Sequence, residues 1–443
     1  MESTIPSRSE RQPLLRHVSP QPVDDDDQLS ASEACHTQEH DTGHNRSADI
    51  TLKLLATSFS FLLLGYLVAR PGIIPISSVG YIAGALLNQP IHRRFGQRGI
   101  AIIAPIFQLT YTILASTYFD PGQAHFVVFL FIRVVGNFGF GLLHGSWSAW
   151  AGGLGERSNT VQGLLHGSLA VGAGLVPVVV VVGVPWLEMW YVLHGAVILQ
   201  WVLLCWAFRF DDGKRYRDAL ETSRPGGLNE ASRATPVVRP RGALGYAVTW
   251  ICAAYFFFYV GTETAMSGWV TFILRARDAT TDLATLSSSG FWLGMGAGRI
   301  LLGLATDRLG VRMATASYLV VAIVFQGIMI AVNQAVVSII AVSLVGFFLG
   351  PVFPSGIVMI TRLLPKELHV KAVSLVASVG QLGAAVGPIV MGPLVQSLGL
   401  QGSQAIILAI LVVTLLIWCL FTRFPDTDIG LDHTAHMSPD ATG

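Results

Sequence analysis

A single acidic residue, Glu263, interrupts the apolar stretch FFFYVGTETAMSGWVTFIL at residues 256–274. An ionisable residue at membrane depth is costly and commonly marks a path for a solute or an ion. We therefore predict that Glu263 binds a solute hydroxyl, carries a proton, or does both, from a cavity on the outer side of centre. The alternative is a structural carboxyl that pairs with a buried arginine or the backbone. Trp269, two turns farther on, either stacks on a sugar ring or packs.

Five further residues could take part in solute binding or proton coupling. Each lies in an apolar, glycine-containing run, and the five are Arg133, His144, Trp147, His166 and Gln381. Each also has a structural alternative. The arginine could extend to the outer interface, the histidines could be packing residues, and the Gln381 amide could hydrogen-bond a neighbouring helix.

The sequence contains no pattern for hydrolytic or nucleotide chemistry. We find no His-Glu-x-x-His, Gly-x-Ser-x-Gly or phosphate-binding loop, so we predict that the chain is not an enzyme. The four cysteines lack metal or pairing spacing, and we expect no cofactor. No basic cluster suggests a nucleic-acid partner.

The composition is that of a membrane protein that contacts the lipid bilayer. Only 12% of the 443 residues are charged, against about a quarter in soluble domains. A helix needs about 20 apolar residues to cross a bilayer. Runs of about this length predict an all-α membrane protein with twelve transmembrane helices in two six-helix bundles. They lie near 52–69, 73–91, 100–118, 126–149, 160–182, 189–208, 243–274, 286–304, 312–331, 334–361, 370–396 and 403–421.

Lys and Arg concentrate in alternate loops, which places both termini in the cytoplasm. The predicted organisation is a disordered tail (1–50), a first bundle (51–208), a charged linker (209–242), a second bundle (243–424) and a tail (425–443). The segment ERQPLL resembles a dileucine sorting signal, so Glu10, Leu14 and Leu15 are candidate contacts for sorting adaptors. The plasma membrane and the vacuolar membrane both remain open.

The two halves share an internal repeat. Residues 80–98, GYIAGALLNQPIHRRFGQR, align with residues 294–312, GMGAGRILLGLATDRLGVR. Gly80 and Gly84 fall on Gly294 and Gly298, and Gly96 falls on Gly310. Parallel repeats of this kind are typical of transporters.

The second copy resembles the gating loop of the major facilitator superfamily. The matching residues are Gly303, Asp307, Arg308, Gly310 and Arg312. The resemblance implies that Asp307 pairs with basic groups or caps a neighbouring helix, and that Arg308, Gly310 and Arg312 belong to the same gate. We assign Arg299, just before this loop, a structural or gating role. The first copy departs from the pattern, with Gln89 in place of the glycine and Arg93 in place of the acid, so the resemblance does not extend to a latch there.

Motifs of the second half, such as FYVGTETAMSGW and GFFLGPVFPSG, resemble a fungal branch related to the fucose–proton symporters. This resemblance implies a secondary transporter of a small polar solute that works by alternating access, with a sugar as one candidate and proton coupling as an option. The first two spans are unusually short, which favours a second hypothesis, a non-transporting sensor with a transporter fold. Export of a drug or metabolite is a third.

Overall fold

The computed structural model describes residues 48–69, 76–118, 126–222 and 242–424, in which every regular element is a helix. Twelve long helices follow one another: α1 (Ala48–Val68), α2 (77–95), α3 (97–118), α4 (Phe126–Gly152), α5 (Ser158–Val182), α6 (Trp186–Ala207), α7 (Ala247–Arg275), α8 (Thr281–Leu309), α9 (Val311–Ala331), α10 (Ala335–Leu363), α11 (369–398) and α12 (400–420). A linker helix, Gly213–Thr222, lies between α6 and α7. Short 3₁₀ turns occupy Gly155–Arg157, Ala243–Gly245, Lys366–Leu368 and Phe421–Arg423.

In the described part of the chain, eight helical runs are long and apolar enough to cross a membrane. Two of these runs each contain two spans, because the backbone leaves the helical region at Gly96 and at Gly399. Adding α7 and α8, which carry Glu263 and Arg299, gives twelve. The predicted all-α class with twelve spans is confirmed. The sorting segment with Glu10, Leu14 and Leu15 lies outside the described residues.

The internal repeat has a direct structural counterpart at the turns that follow α2 and α8. Gly96 has φ +70° and Gly310 has φ +83°. This backbone conformation is one that residues other than glycine rarely adopt. The two glycines that align in sequence therefore make the same sharp turn in the two halves.

Close helix contacts repeat in the same way. A Cβ added at Gly84 would lie 2.2 Å from the carbonyl oxygen of Phe138 on α4, and one added at Gly298 would lie 1.8 Å from that of Phe347 on α10. Gly80 and Gly294 make the equivalent contacts one turn away. Small residues let helix backbones approach closely in a membrane, so α2–α4 and α8–α10 pack alike.

The length of the apolar run 243–274 predicts a break in the seventh span near Gly261–Gly268, and this prediction is wrong. Helix α7 is continuous over 29 residues. The glycine at 261 serves close packing instead, since a Cβ added at Gly387 of α11 would lie 2.2 Å from the Gly261 carbonyl oxygen. At about 1.5 Å per residue, the helix is longer than the apolar core of a bilayer, so its ends extend beyond that core.

Helix α10 is interrupted at Gly350 and Pro351, where two turn residues separate Ala335–Leu349 from Val352–Leu363. Proline has no backbone N–H and cannot continue the hydrogen-bond ladder. Side chains from α7 and α8 satisfy carbonyl groups at this break: the Tyr259 hydroxyl donates to Leu349 O at 3.0 Å and Arg299 Nε donates to Gly350 O at 3.2 Å.

The two bundles meet along α5 and α8. A Cβ added at Gly163 would lie 2.2 Å from the Arg299 carbonyl oxygen, and one added at Gly167 would lie 2.8 Å from the Ile300 side chain. Gly303 faces Asn159 on the same interface. The contact surface between these helices is therefore built largely from small residues.

Candidate functional site

The carboxylate of Glu263 forms an ion pair with Arg299, at 3.3 Å between Oε1 and Nη2. Only 6% of Glu263 and 2% of Arg299 are exposed. The carboxylate thus faces a buried arginine, and the cavities described below are lined by other residues. Pairing with a buried arginine is the predicted alternative to a cavity-facing acid, and it is the geometry observed.

Arg299 joins four helices through its guanidinium group. Besides the bond to Glu263 on α7, Nε donates to Gly350 O of α10, and Nη1 donates to His166 O of α5 at 2.9 Å. All three guanidinium nitrogens therefore have acceptors. Because α5 belongs to the first half and α7, α8 and α10 to the second, Arg299 links the two bundles at the centre of the molecule.

His144 and His166 lie together on the first-half side of this ion pair. Their ring centroids are 5.1 Å apart. The Nδ1 atom of His144 is 2.7 Å from the Tyr81 hydroxyl, and Nε2 of His166 is 3.3 Å from the Ser148 hydroxyl. All four side chains are buried.

Aromatic rings cover both histidines. Phe353 of α10 lies 5.4 Å from His144 and 4.7 Å from His166, and Phe61 of α1 lies at similar distances. We define the central cluster as Tyr81, His144, His166, Tyr259, Glu263, Arg299 and Phe353. It combines hydrogen-bonding groups of both bundles with apolar ring faces.

The structure separates the remaining predicted residues from this cluster. Trp147 is fully buried in the first bundle, where its ring stacks on Phe208 at 4.4 Å. Trp269 is half-buried beside α11, and its Nε1 donates to Pro388 O at 3.4 Å. The backbone carbonyl of Gln381 accepts from the Ser78 hydroxyl at 3.3 Å, and its side chain is partly exposed.

Arg133 lies in the interior of the first bundle, with 5% of its surface exposed. Its Nη1 donates to the Tyr111 hydroxyl at 3.2 Å. The alternative of extension to the outer interface does not describe this side chain. Arg133 lines a small cavity between α1, α3 and α4. Phe140 separates this cavity from the central cluster, since it lines the cavity and its ring centroid is 5.3 Å from that of His144.

Asp307 caps the start of α5 across the bundle interface. Its Oδ2 accepts from the Thr160 backbone N–H at 3.0 Å and from the Thr160 hydroxyl, and its Oδ1 accepts from Asn159 Nδ2 at 2.7 Å. A carboxylate at a helix N-terminus is stabilised by the unpaired N–H groups there. Arg308 is exposed, whereas Arg312 donates to Phe424 O at 2.6 Å.

Contacts between the halves occur on both sides of the central cluster. Near the end of α8 that carries Asp307, the cap on α5 is accompanied by a bond from the Thr361 hydroxyl to Gly152 O at 3.2 Å. Toward the opposite end of α8, the Ser289 hydroxyl donates to Gly174 O at 2.8 Å. The two halves are therefore hydrogen-bonded to each other toward both ends of α8.

A larger cavity of about 190 Å³ lies between α7, α11 and α12. Its lining is almost entirely apolar and includes Gly261 and Thr262 but not Glu263. Sequence reasoning missed Tyr81, Tyr259 and Phe353 as cluster members. The repeat alignment could have suggested Tyr81, because it lies between the two glycines that set the α2–α4 contact.

Comparison with known proteins supports this architecture. Residues 251–436 match the model of the Major Facilitator Superfamily. The chain is 16% identical to the Escherichia coli fucose:proton symporter over 84% of this chain and 96% of that one, with a TM-score of 0.59. It is 13% identical to the human organic anion transporter MFSD10 over 84% of this chain and 98% of that one, with a TM-score of 0.64.

The chain has the major facilitator fold. A curated relative from Saccharomyces cerevisiae, Bypass of stop codon protein 6, is 23% identical over 375 residues, which cover 78% of this chain and 73% of the relative. The predicted resemblance to this superfamily and its fungal branch is confirmed. The matched family model and the fold are typical of multi-pass membrane transporters.

Proposed function

We propose that the chain is a secondary transporter that moves a small polar solute by alternating access, with a sugar as the first candidate and proton coupling at Glu263. The observation that carries this proposal is the buried Glu263–Arg299 pair, which is bonded to the opposite bundle through His166 O. The fucose:proton symporter among the structural neighbours supports the same solute class and coupling ion.

Removing one partner of a buried ion pair leaves the other charge buried without compensation, and this destabilises a protein by about 3–5 kcal/mol. Opening the α5–α8 interface would remove His166 O from Arg299, and a solute hydroxyl could replace that acceptor. Protonation of Glu263 would free Arg299 Nη2 to donate to the solute as well. The proposed cycle therefore couples the arrival of a proton and a solute to the separation of the bundles.

The aromatic faces of Phe353 and Phe61 support a sugar, because sugar rings present C–H faces as well as hydroxyl groups. The histidines and Tyr81 would supply further hydrogen bonds. In this proposal Trp269 and Gln381 line the outer approach to the cluster, where both are partly exposed.

We assign the gate to Asp307, Arg308, Gly310, Arg312 and Arg299. The cap that Asp307 makes on α5 would have to break before the inner side opens. We also propose that the two bundles comprise residues 51–208 and 243–424. Both termini would lie in the cytoplasm, and the protein would reside in the plasma or vacuolar membrane.

Uptake into proteoliposomes tests the proposal. Purified full-length protein should accumulate at least one radiolabelled monosaccharide, and an inward proton gradient should increase uptake severalfold. Glu263→Gln should abolish the response to the gradient, whereas Glu221→Gln, a control on the linker helix, should retain it. Uptake by Glu263→Gln that still follows the gradient would remove Glu263 from coupling.

One observation favours the sensor as a second candidate. Ser78, at the second position of α2, contacts Gln381 O, and α11 continues for 17 residues beyond Gln381. Helix α2 therefore extends only to the middle of α11. A chain that binds sugars with saturation in detergent but shows no uptake or exchange in liposomes would be a sensor.

A further inference from the structure

Arg133 is a buried cation without a carboxylate partner among the described residues. The other two most deeply buried cations of the described spans are paired: Arg299 with Glu263 at 3.3 Å and Lys53 with Asp211 at 2.7 Å. Arg133 has one side-chain bond, from Nη1 to the Tyr111 hydroxyl, and its Nε has no acceptor in the described structure. An isolated buried charge is costly, so the site requires compensating negative charge.

Arg133 is one of the residues that line a cavity of about 20 Å³. Apolar residues of α1 form one wall, and polar residues of α3 and α4 form the other: Gln108, Tyr111, Arg133 and Asn137. A volume of this size accommodates about one particle of the dimensions of water. It therefore excludes a whole organic solute.

Hydrogen-bond donors dominate the polar wall. The Gln108 side chain accepts from Gln200 Nε2 at 2.6 Å, which leaves the Gln108 NH₂ group without a partner in the described structure. The Tyr111 oxygen accepts from Arg133, so its own proton is available to the cavity. Asn137 uses its NH₂ group on Arg133 O and contributes a single acceptor, Oδ1.

We propose that this cavity binds a monatomic anion of the size and charge of chloride. Arg133 Nε, the Gln108 amide and the Tyr111 hydroxyl donate to the ion. A water molecule donates as readily as it accepts and would find one acceptor, Asn137 Oδ1, against three donors, whereas an anion uses all three donors and compensates the charge of Arg133. The bound ion would connect α3 and α4 and, through Gln200, α6. This site is independent of the proposed transport cycle.

Chloride binding to the purified full-length protein tests the site directly. In detergent, equilibrium binding of radioactive chloride should show a saturable site with one ion per chain. Arg133→Gln should abolish it, and Gln108→Leu, which keeps the charge, should weaken it by about tenfold. Arg209→Gln, at an exposed position, is the matched control and should bind as the native chain does.

Thermal unfolding supplies a second measurement that does not require a well-folded Arg133 variant. Replacing gluconate by chloride at constant ionic strength should raise the Tm of the native chain and of Arg209→Gln, and should raise that of Gln108→Leu less. Absence of saturable binding, or binding that is equal in the native chain, Arg133→Gln and Gln108→Leu, would overturn the proposal. The second result would indicate an adventitious ion elsewhere.

Discussion

The guanidinium of Arg299 on α8 donates a hydrogen bond of 2.9 Å to the backbone carbonyl of His166 on α5. This bond crosses from one bundle to the other, and the same guanidinium holds the Glu263 carboxylate. A change in the charge of Glu263 therefore acts on the group that joins the bundles. The Glu263 carboxylate, the Arg299 guanidinium and the His166 carbonyl of the opposite bundle therefore form one connected set of contacts.

The first prediction concerns the energy of this ion pair. Arg299→Gln should lower the free energy of unfolding by about 3–5 kcal/mol, because it leaves Glu263 buried without a partner. The double variant Glu263→Gln/Arg299→Gln should be more stable than Arg299→Gln alone, since neither charge remains. Denaturant unfolding in mixed micelles measures the free energy of unfolding of both variants. Arg308→Gln, at an exposed position, is the control. Strictly additive losses would show that the two charges are not coupled.

The second prediction concerns the cap on α5. Asp307→Ala should increase hydrogen–deuterium exchange at the first turn of α5 by about tenfold, because loss of a cap costs about 1–2 kcal/mol. The Thr160 amide, whose N–H donates directly to Asp307, should change most. Asp282→Ala removes an acid from the opposite end of α8, the helix that carries Asp307, and should leave exchange at Thr160 as it is. Unchanged exchange in Asp307→Ala would contradict the cap as a stabilising latch.

The third prediction uses two glycines with opposite surroundings. Gly298→Ala places a methyl group within 1.8 Å of the Phe347 carbonyl oxygen, so we expect a loss of about 3 kcal/mol or failure to fold. Gly327 on α9 has open space around its Cβ position, and Gly327→Ala should stabilise the helix by about 0.5–1 kcal/mol. Monodisperse yield and Tm distinguish the two. Equal behaviour of the variants would contradict the close α8–α10 contact.

The fourth prediction concerns pH. Burial raises the pKa of Tyr216 on the linker helix above its usual value of 10, and the charge of Arg93 offsets part of this shift. The unfolded chain therefore loses its phenolic proton first, and stability should fall as the pH rises from about 10 toward the folded-state value. Tyr216→Phe should reduce this fall in Tm. The same decline in the native chain and in Tyr216→Phe would contradict the assignment.

Composition and hydrophobic runs were sufficient to predict the number of spans, because crossing a bilayer imposes length and apolarity directly on each segment. The repeat aligned Gly96 with Gly310, and both residues have positive φ at the turn that ends the second helix of their half. The break in α7 was predicted wrongly, since glycine can serve either unwinding or close packing. Only the position of Gly387 and Gly383 on the neighbouring helix distinguishes these uses.

The central cluster could be predicted only in part. Glu263, His144 and His166 are conspicuous as polar residues in apolar runs, and they do lie near one another in the fold. The pairing of Glu263 with Arg299 depends on how α7 and α8 are rotated about their axes, which a single sequence does not specify. Tyr81 and Phe353 look like ordinary packing residues until α2 and α10 are placed beside the histidines.

The glycine-rich interface between α5 and α8 has a mechanical consequence. At Gly163 and Gly303 the backbones of the two helices approach with no side chain between them, whereas at Gly167 the Ile300 side chain packs against the glycine. At the first two positions, the proposed alternating-access motion would therefore meet no interlocked side chains. The resistance to motion then resides in a few directional bonds, so the relative stability of successive conformations can be adjusted one hydrogen bond at a time.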